Sequence, residues 1–236
     1  MKKLIWNAWL WAGALSAMAC LPAHAAVVTF DDVAPNLFGP GDSFVSGGMS
    51  FAVPAGPFQG VLQPGFGLVD TSATLSTFSN APTGNATQFY AGLNDNFLVM
   101  MSEVAPSFRL TSFSFGFIPP VTVPNGLSPG AIFAFWTDIF GAEGVASFDF
   151  GIADMNGDWA FRTASFGPSA PAAALRTVTV AACLYGANNA CFWPASNQAQ
   201  FAIDNIDFNN VPLPSSVLLA GLGLAALAMT RRRAAR

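Results

Sequence analysis

Histidine and lysine are absent between Ala26 and Pro214; His24, Lys2 and Lys3 all precede that stretch. Without an imidazole, neither a Ser-His-Asp nor a Cys-His relay can be assembled there, and a His-ligated zinc site is excluded as well. Basic charge is scarce: Arg109, Arg162 and Arg176 stand against thirteen carboxylates from Asp31 to Asp207, which gives the stretch −10, whereas the whole 236-residue chain carries −4. A body this acidic is a poor ligand for nucleic acid or anionic lipid, which demand clustered Lys and Arg, but it suits divalent cations and solubility. No phosphate-binding or dinucleotide glycine pattern stands between a strand and a helix. Glutamate is reduced to Glu103 and Glu143, so a carboxylate-only reaction such as glycoside hydrolysis is the enzyme class that remains.

What is present begins at the two ends. Lys2 and Lys3 precede an apolar run from Leu4 to Leu21, and Ala23-His24-Ala25 supplies the small-x-small pattern of a signal peptidase site, with the cut after Ala25 and Ala26 left at the new end. A lipoprotein cut before Cys20 is disfavoured by Ala17 standing where Leu is wanted. At the other end, Val211-Pro212-Leu213-Pro214 precedes about sixteen apolar or small residues, Ser215 to Thr230, and then Arg231, Arg232, Arg233 and Arg236. As a helix that run covers roughly 24 Å at about 1.5 Å per residue, a marginal membrane span. The arginines hold its end in the cytoplasm and the prolines prevent the helix from extending into the body, which then faces outward.

This tail resembles the PEP-CTERM sorting signal of Gram-negative bacteria, built of a short Pro motif, an apolar helix and an Arg-rich end. Leu213 stands where the usual Val-Pro-Glu-Pro motif has Glu. The resemblance implies export, transient anchoring in the inner membrane, processing by signal peptidase and an exosortase-type enzyme, and delivery to the cell surface or extracellular matrix.

Between the ends lie about 190 residues without a charged linker or a long internal repeat, the size of one domain. Phe, Gly, Ser, Thr, Val and Pro abound while helical periodicity is thin, so short strands joined by turns are expected, folded as a single all-β sandwich over 26–210. Strands are expected at Val27–Phe30, Met49–Val53, Leu68–Phe78, Thr87–Tyr90, within Asn94–Ser102, and at Ala131–Ile139. Phe108–Ile118 is the clearest, with Phe113, Phe115 and Phe117 on one face. Pro35–Gly48 and Pro54–Gly67 carry Pro and Gly at loop density. Ala146–Ala153 and Trp159–Ser165 flank Asp154-Met155-Asn156-Gly157-Asp158, which predicts a β-hairpin because Asn and Gly tolerate the positive φ of the turn. A calcium loop at Asp154, Asn156 and Asp158 fits less well, since Gly falls between the second and third ligands and no distal Glu follows. Arg176–Leu184 and Gln200–Phe208 complete the strands.

Cys183 and Cys191 are the only cysteines downstream of Cys20, and in an exported protein they are expected to form a disulfide. The opening Thr29-Phe30-Asp31-Asp32 and the closing strand with Asp204-Asn205-Ile206 look like the first and last strands of jelly-roll, carbohydrate-binding-module-type domains found in PEP-CTERM proteins. Gln200-Phe201-x-x-Asp204 resembles a motif of one such group. That resemblance implies neighbouring terminal strands that can hold a structural calcium, here through Asp31, Asp32, Asp204 and Asp207; as solvated strand-end carboxylates they would hold nothing. Trp136, Trp159, Trp193 and Tyr185 can stack on sugar rings if exposed and are core or turn packing if not. The expected function is a non-catalytic surface or matrix protein associated with extracellular polysaccharide; the alternatives are a carboxylate-based glycan hydrolase and a structural, self-associating surface protein.

Overall fold

The structure, a computed structural model, describes residues 25–55, 65–71, 81–119, 126–167, 174–186, 190–192 and 199–211. The signal segment and the apolar tail, both expected to be helical, lie outside these. No helix among the described residues is long and apolar enough to cross a membrane. The described body, Ala25–Val211, is one compact all-β unit.

Fourteen strands follow in order: β1 (Ala25–Val28), β2 (Asn36–Phe38), β3 (Ser43–Ser46), β4 (Met49–Ala52), β5 (Phe66–Thr71), β6 (Gln88–Leu93), β7 (Phe97–Ser102), β8 (Phe108–Ile118), β9 (Gly130–Asp138), β10 (Glu143–Asp149), β11 (Arg162–Ser165), β12 (Leu175–Tyr185), β13 (Cys191–Phe192) and β14 (Gln200–Asn210). They make two facing antiparallel layers. One runs β2-β5-β6-β14-β8-β11, with β1 taking the place of β6 along the second half of β14; the other runs β10-β9-β12-β7-β4-β3. The layers share one hydrogen-bonded pair, Leu175 with Phe108, at a corner.

Alternation supplies the core. In β9, Ile132 and Ala134 are buried while Phe133 and Phe135 stand on the opposite face; in β12, Val178, Val180 and Ala182 point inward. Phe113, Phe115 and Phe117 of β8 fill the interior as expected, with Phe148, Phe150 and Trp159 against them at ring distances of 5.2–6.2 Å. Phe108 and Leu110, of opposite parity in the same strand, are buried too, and so are Phe201, Ile203, Ile206 and Phe208 of β14. Register shifts on either side of Asp207 let both parities face inward. Asn205, at φ +48°, carries the extra residue on β14, a backbone that Asn tolerates better than most side chains.

Three strand glycines have an aromatic ring in the place of a side chain. An added Cβ would stand 2.6 Å from Phe201 Cζ at Gly92, 2.5 Å from Tyr90 Cε2 at Gly67, and 2.5 Å from Trp136 Cε2 at Gly144.

Several boundaries and one topology differ from expectation. The proline- and glycine-rich segment 35–48 contains β2 and β3, because Phe38 and Phe44 stack on each other at 4.3 Å and draw the loop onto the core. The first strand ends at Val28, since Phe30 takes φ +56° and turns the chain while its ring stays buried. The expected hairpin is overturned: β10 pairs with β9 and β11 with β8, in opposite layers. The tight turn does form, with Gly157 at φ +88° and its N–H donating to Asp154 O at 3.1 Å. Buried Phe150 and Trp159, however, carry the flanking chain from one layer to the other. Thr83 then bridges Ala160 in parallel.

Candidate functional site

Two places gather polar chemistry. The first is a groove on the outer face of β9, β10 and β12, with a volume of about 390 Å³. Phe135 and Thr137 of β9, Glu143 and Val145 of β10, and Thr177 and Thr179 of β12 line it. These six fall on one parity of three registered strands, so they project from the face turned away from the core. Phe135 stacks on Phe133 at 5.8 Å and 18° between planes. Val145 is 53% exposed. Trp136 and Gly144 border the groove from the other parity, and the indole packs inward on the core and on Phe166. The groove thus combines an aromatic surface, threonine hydroxyls and one carboxylate.

The second is the junction where β14 leaves β6 for β1. Asp204 is fully buried there. Asn85 Nδ2 donates to its Oδ2 at 2.7 Å, Asn205 Nδ2 donates at 3.2 Å, and Thr87 Oγ1 lies 2.9 Å away. Asp204 Oδ1, equally buried, has no hydrogen-bond donor among the described residues. Burial pushes the carboxyl up to about 6; the backbone N–H of Asn205 and then the Thr87 and Asn85 side chains act the other way, and the charge of Asp31 adds to the rise. Asp31 itself accepts the Gln88 N–H at 3.0 Å.

The structure separates the four expected calcium ligands. Asp31 accepts from Gln88 at the start of β6, near enough for its charge to be felt at Asp204. Asp32 instead accepts hydrogen bonds from Ser46 Oγ and, at 3.0 Å, from the Gly47 N–H. Burial pushes its carboxyl up, but these donors outweigh it and hold it below the usual range. Asp207 stands beyond the register shift, opposite Val27 and Ser112. No group of three or more His, Cys, Asp or Glu side chains gathers among the described residues. Asp154 Oδ1 accepts the N–H groups of Asn156 and Asp158 at 2.8 and 3.0 Å, and the donor from Asp158, then that from Asn156, lowers its carboxyl. The loop ties itself.

Of the aromatics expected to meet sugar, Trp159 is 5% exposed and packs edge-on against Phe117, so its ring belongs to the core. Trp136 borders the groove. Tyr185 is half-buried at the far end of β12; burial and a hydrogen bond to Asp149 raise its phenol. Trp193 lies outside the described residues. Cys183 and Cys191 are joined as a disulfide, Cα atoms 5.7 Å apart, which staples β13 to the end of β12. At the processing ends, Ala25 and Ala26 belong to β1 and pair with Asn209 and Phe208. Val211 follows β14, its N–H donating to Ser107 O at 3.0 Å. Ala23, Pro212, Leu213, Pro214, Arg231, Arg232 and Arg233 lie outside the described residues.

Sequence reasoning did not pick out Phe135, Thr177, Thr179 or Asn85. Period-2 alternation in 130–138 and 175–185 was the available signal, but Phe and Ile there are apolar on both faces and conceal which one is outside.

Residues 210–233 match the PEP-CTERM protein-sorting motif. No curated protein matches the chain. Among solved structures, the chain is similar to the CBM22-1-GH10 modules of Clostridium thermocellum xylanase 10B in complex with xylohexaose, at 12% identity and TM-score 0.35, covering 82% of this chain and 30% of that one. A cyclase from Fischerella sp. TAU is similar at 12% identity and TM-score 0.40, covering 81% of this chain and 100% of that one. A structure of carbohydrate-binding modules from the β-sandwich superfamily is similar at 8% identity and TM-score 0.32, covering 79% and 85%.

Proposed function

From a chain whose residues 210–233 form a PEP-CTERM protein-sorting motif, we propose a non-catalytic exported protein that is delivered to the cell surface or extracellular matrix and binds polysaccharide there. After export, signal peptidase and an exosortase-type enzyme trim its ends. Its two-layer body is of the jelly-roll, carbohydrate-binding-module kind. The observation that carries the binding reading is the groove on β9, β10 and β12. An aromatic face supports the apolar face of a pyranose by stacking, and neighbouring threonine hydroxyls exchange hydrogen bonds with sugar hydroxyls. Nine residues of β9 at about 3.4 Å each give a face roughly 30 Å long, enough for several units of a linear polymer. The acidic body favours a neutral or amino-substituted glycan over a polyanion.

Glu143 lines this groove, which keeps the hydrolase alternative in view. Two flanking carboxylates are needed for that reaction. Glu103, the other glutamate, stands outside the lining, on the turn after β7.

Affinity electrophoresis of the full chain in gels containing neutral polysaccharides, with Phe135→Ala, Thr179→Val and Glu143→Gln, tests the reading. Retardation by at least one neutral glycan is expected, weakened about tenfold by Phe135→Ala, since lost stacking is worth on the order of 1 kcal/mol or more. Unretarded migration on every glycan, or retardation untouched by all three substitutions, would refute it. Reducing-end release abolished by Glu143→Gln would establish the hydrolase instead.

A further inference from the structure

We propose that the groove on β9, β10 and β12 selects a glycan carrying free amino groups, with the Glu143 carboxylate as counter-ion to the sugar ammonium. This rests on the polysaccharide reading above and narrows it to one class of sugar. Two cross-strand rows build the groove. Glu143, Thr137 and Thr177 stand opposite one another in the first, and Val145, Phe135 and Thr179 in the second. All six line it from the face turned away from the core. The first row is polar and charged; the second offers an aromatic ring, an aliphatic side chain and a hydroxyl.

Glu143 is a charge with nothing local to hold. Among the described residues its carboxylate accepts no hydrogen bond and joins no ion pair. The groove lining contains no Arg, Lys or His. Arg176, at the register shift between Leu175 and Thr177, neither lines the groove nor pairs with Glu143. Neighbouring carboxylates are engaged. Asp149, the other acidic residue of β10, faces Arg162 at 4.0 Å and accepts the Gly151 N–H at 2.5 Å. Asp138, at the end of β9, accepts the N–H groups of Phe140 and Ala142, both at 2.8 Å. Glutamate is depleted in strands, yet here one stands in a strand row next to an aromatic surface.

A hexosamine matches this pairing of rows. Alternate residues of a strand lie about 6.8 Å apart, which sets the spacing between the two rows. A pyranose seated on Phe135 carries its amino nitrogen about 3 Å from the ring centre, and a charge-assisted N–H···O contact of about 2.8 Å then reaches about 6 Å, close to one row. The threonine hydroxyls flank both positions and can exchange hydrogen bonds with the remaining sugar hydroxyls. N-acetylation removes the charge and adds bulk at the point that meets Glu143. A neutral hydroxyl gives the carboxylate a weaker hydrogen bond than an ammonium does, and a uronic acid is repelled. The acidic body draws any polycation toward the surface; Glu143 is what distinguishes an amine from an acetamide on the same sugar.

Calorimetric titration of the full chain with β-1,4-linked hexamers of glucosamine, N-acetylglucosamine and glucose, at pH 5.5 and low salt so that the sugar amine is protonated, is the test. The glucosamine hexamer is expected to bind about tenfold more tightly than the other two, an advantage that shrinks as salt is raised. Glu143→Gln abolishes that advantage and leaves the affinities for the two uncharged hexamers within about twofold of wild type. Glu103→Gln removes the same charge outside the groove and keeps the preference, which separates the site from the general acidity of the body. Equal wild-type affinity for the three hexamers, no binding of the glucosamine hexamer, a preference that survives Glu143→Gln, or one lost equally in Glu103→Gln overturns the inference, while retardation by a neutral glycan leaves the polysaccharide reading standing. Absence of binding to every hexamer together with unretarded migration on every glycan refutes both.

Discussion

Asp204→Asn should change the pH dependence of folding in a direction opposite to ordinary acid denaturation. The carboxyl is fully buried and its folded value lies near 6, whereas an unfolded aspartate titrates near 3.8. The folded state therefore holds the proton more tightly. Stability from this group is fully present below the unfolded value and is lost as pH rises through about 6. A difference of about two units corresponds to about 3 kcal/mol between pH 4 and pH 7.5 at roughly 1.4 kcal/mol per unit. The Asn amide has nearly the same shape, offers its oxygen to Asn85 and Thr87, and never ionises. In the presence of chelator the variant should match wild type within about 0.5 kcal/mol at pH 4 and exceed it by up to about 3 kcal/mol at pH 7.5, or about 6–12 °C in Tm for a body of this size. Paired urea melts of the two proteins at several pH values measure the difference directly, and carboxylates common to both cancel. A variant-minus-wild-type difference that stays constant from pH 4 to 7.5 would refute the assignment of a buried, proton-hungry Asp204.

Two further perturbations test the packing. Gly92→Ala places a methyl within 2.6 Å of the Phe201 ring in a filled core, so a loss of about 1–3 kcal/mol in urea unfolding is expected; a variant as stable as wild type would mean the ring has room to move. Replacing both Cys183 and Cys191 with Ser opens a loop of sequence separation 8, which should cost about 2.5 kcal/mol by loop entropy, read as a lower urea midpoint at nearly unchanged slope.

The strands that could be read from the sequence were those in which pattern and burial agree. Phe108–Ile118 is bounded by prolines on both sides and was found to the residue. In the last strand, the alternation of apolar residues changes parity between Ile203 and Ile206, a sign of an irregularity that becomes plain only when β1 and β6 are seen sharing its edge. The hairpin expectation failed because turn chemistry at Asn156-Gly157 fixes the turn, not the partners of its flanks; buried Phe150 and Trp159 settled those through contacts distant in sequence. Pairing across long separations also explains the candidate sites. The charge of Asp31 is felt at Asp204 across a separation of more than 170 residues in sequence. Asn85 and Thr87 come from a segment with no strand pattern of its own, so nothing local marks them. Thr177 and Thr179 look like any exposed Thr in a strand until β9 and β10 are placed beside them.

The place of β14 sets the order in which the body can become stable. Its eleven residues are the last of the described chain to be made, yet they lie between β6, β1 and β8 and bury Phe201, Ile203, Ile206 and Phe208. Until they arrive, β8 lacks a neighbour along most of one edge and β1 lacks any partner, so long-range closure waits on the final strand. Asn210, the last residue of that strand, is also the first residue of the sorting motif. Completion of the fold therefore waits on the residue at which the sorting motif begins, and a chain cut within β14 forfeits the strand that closes it.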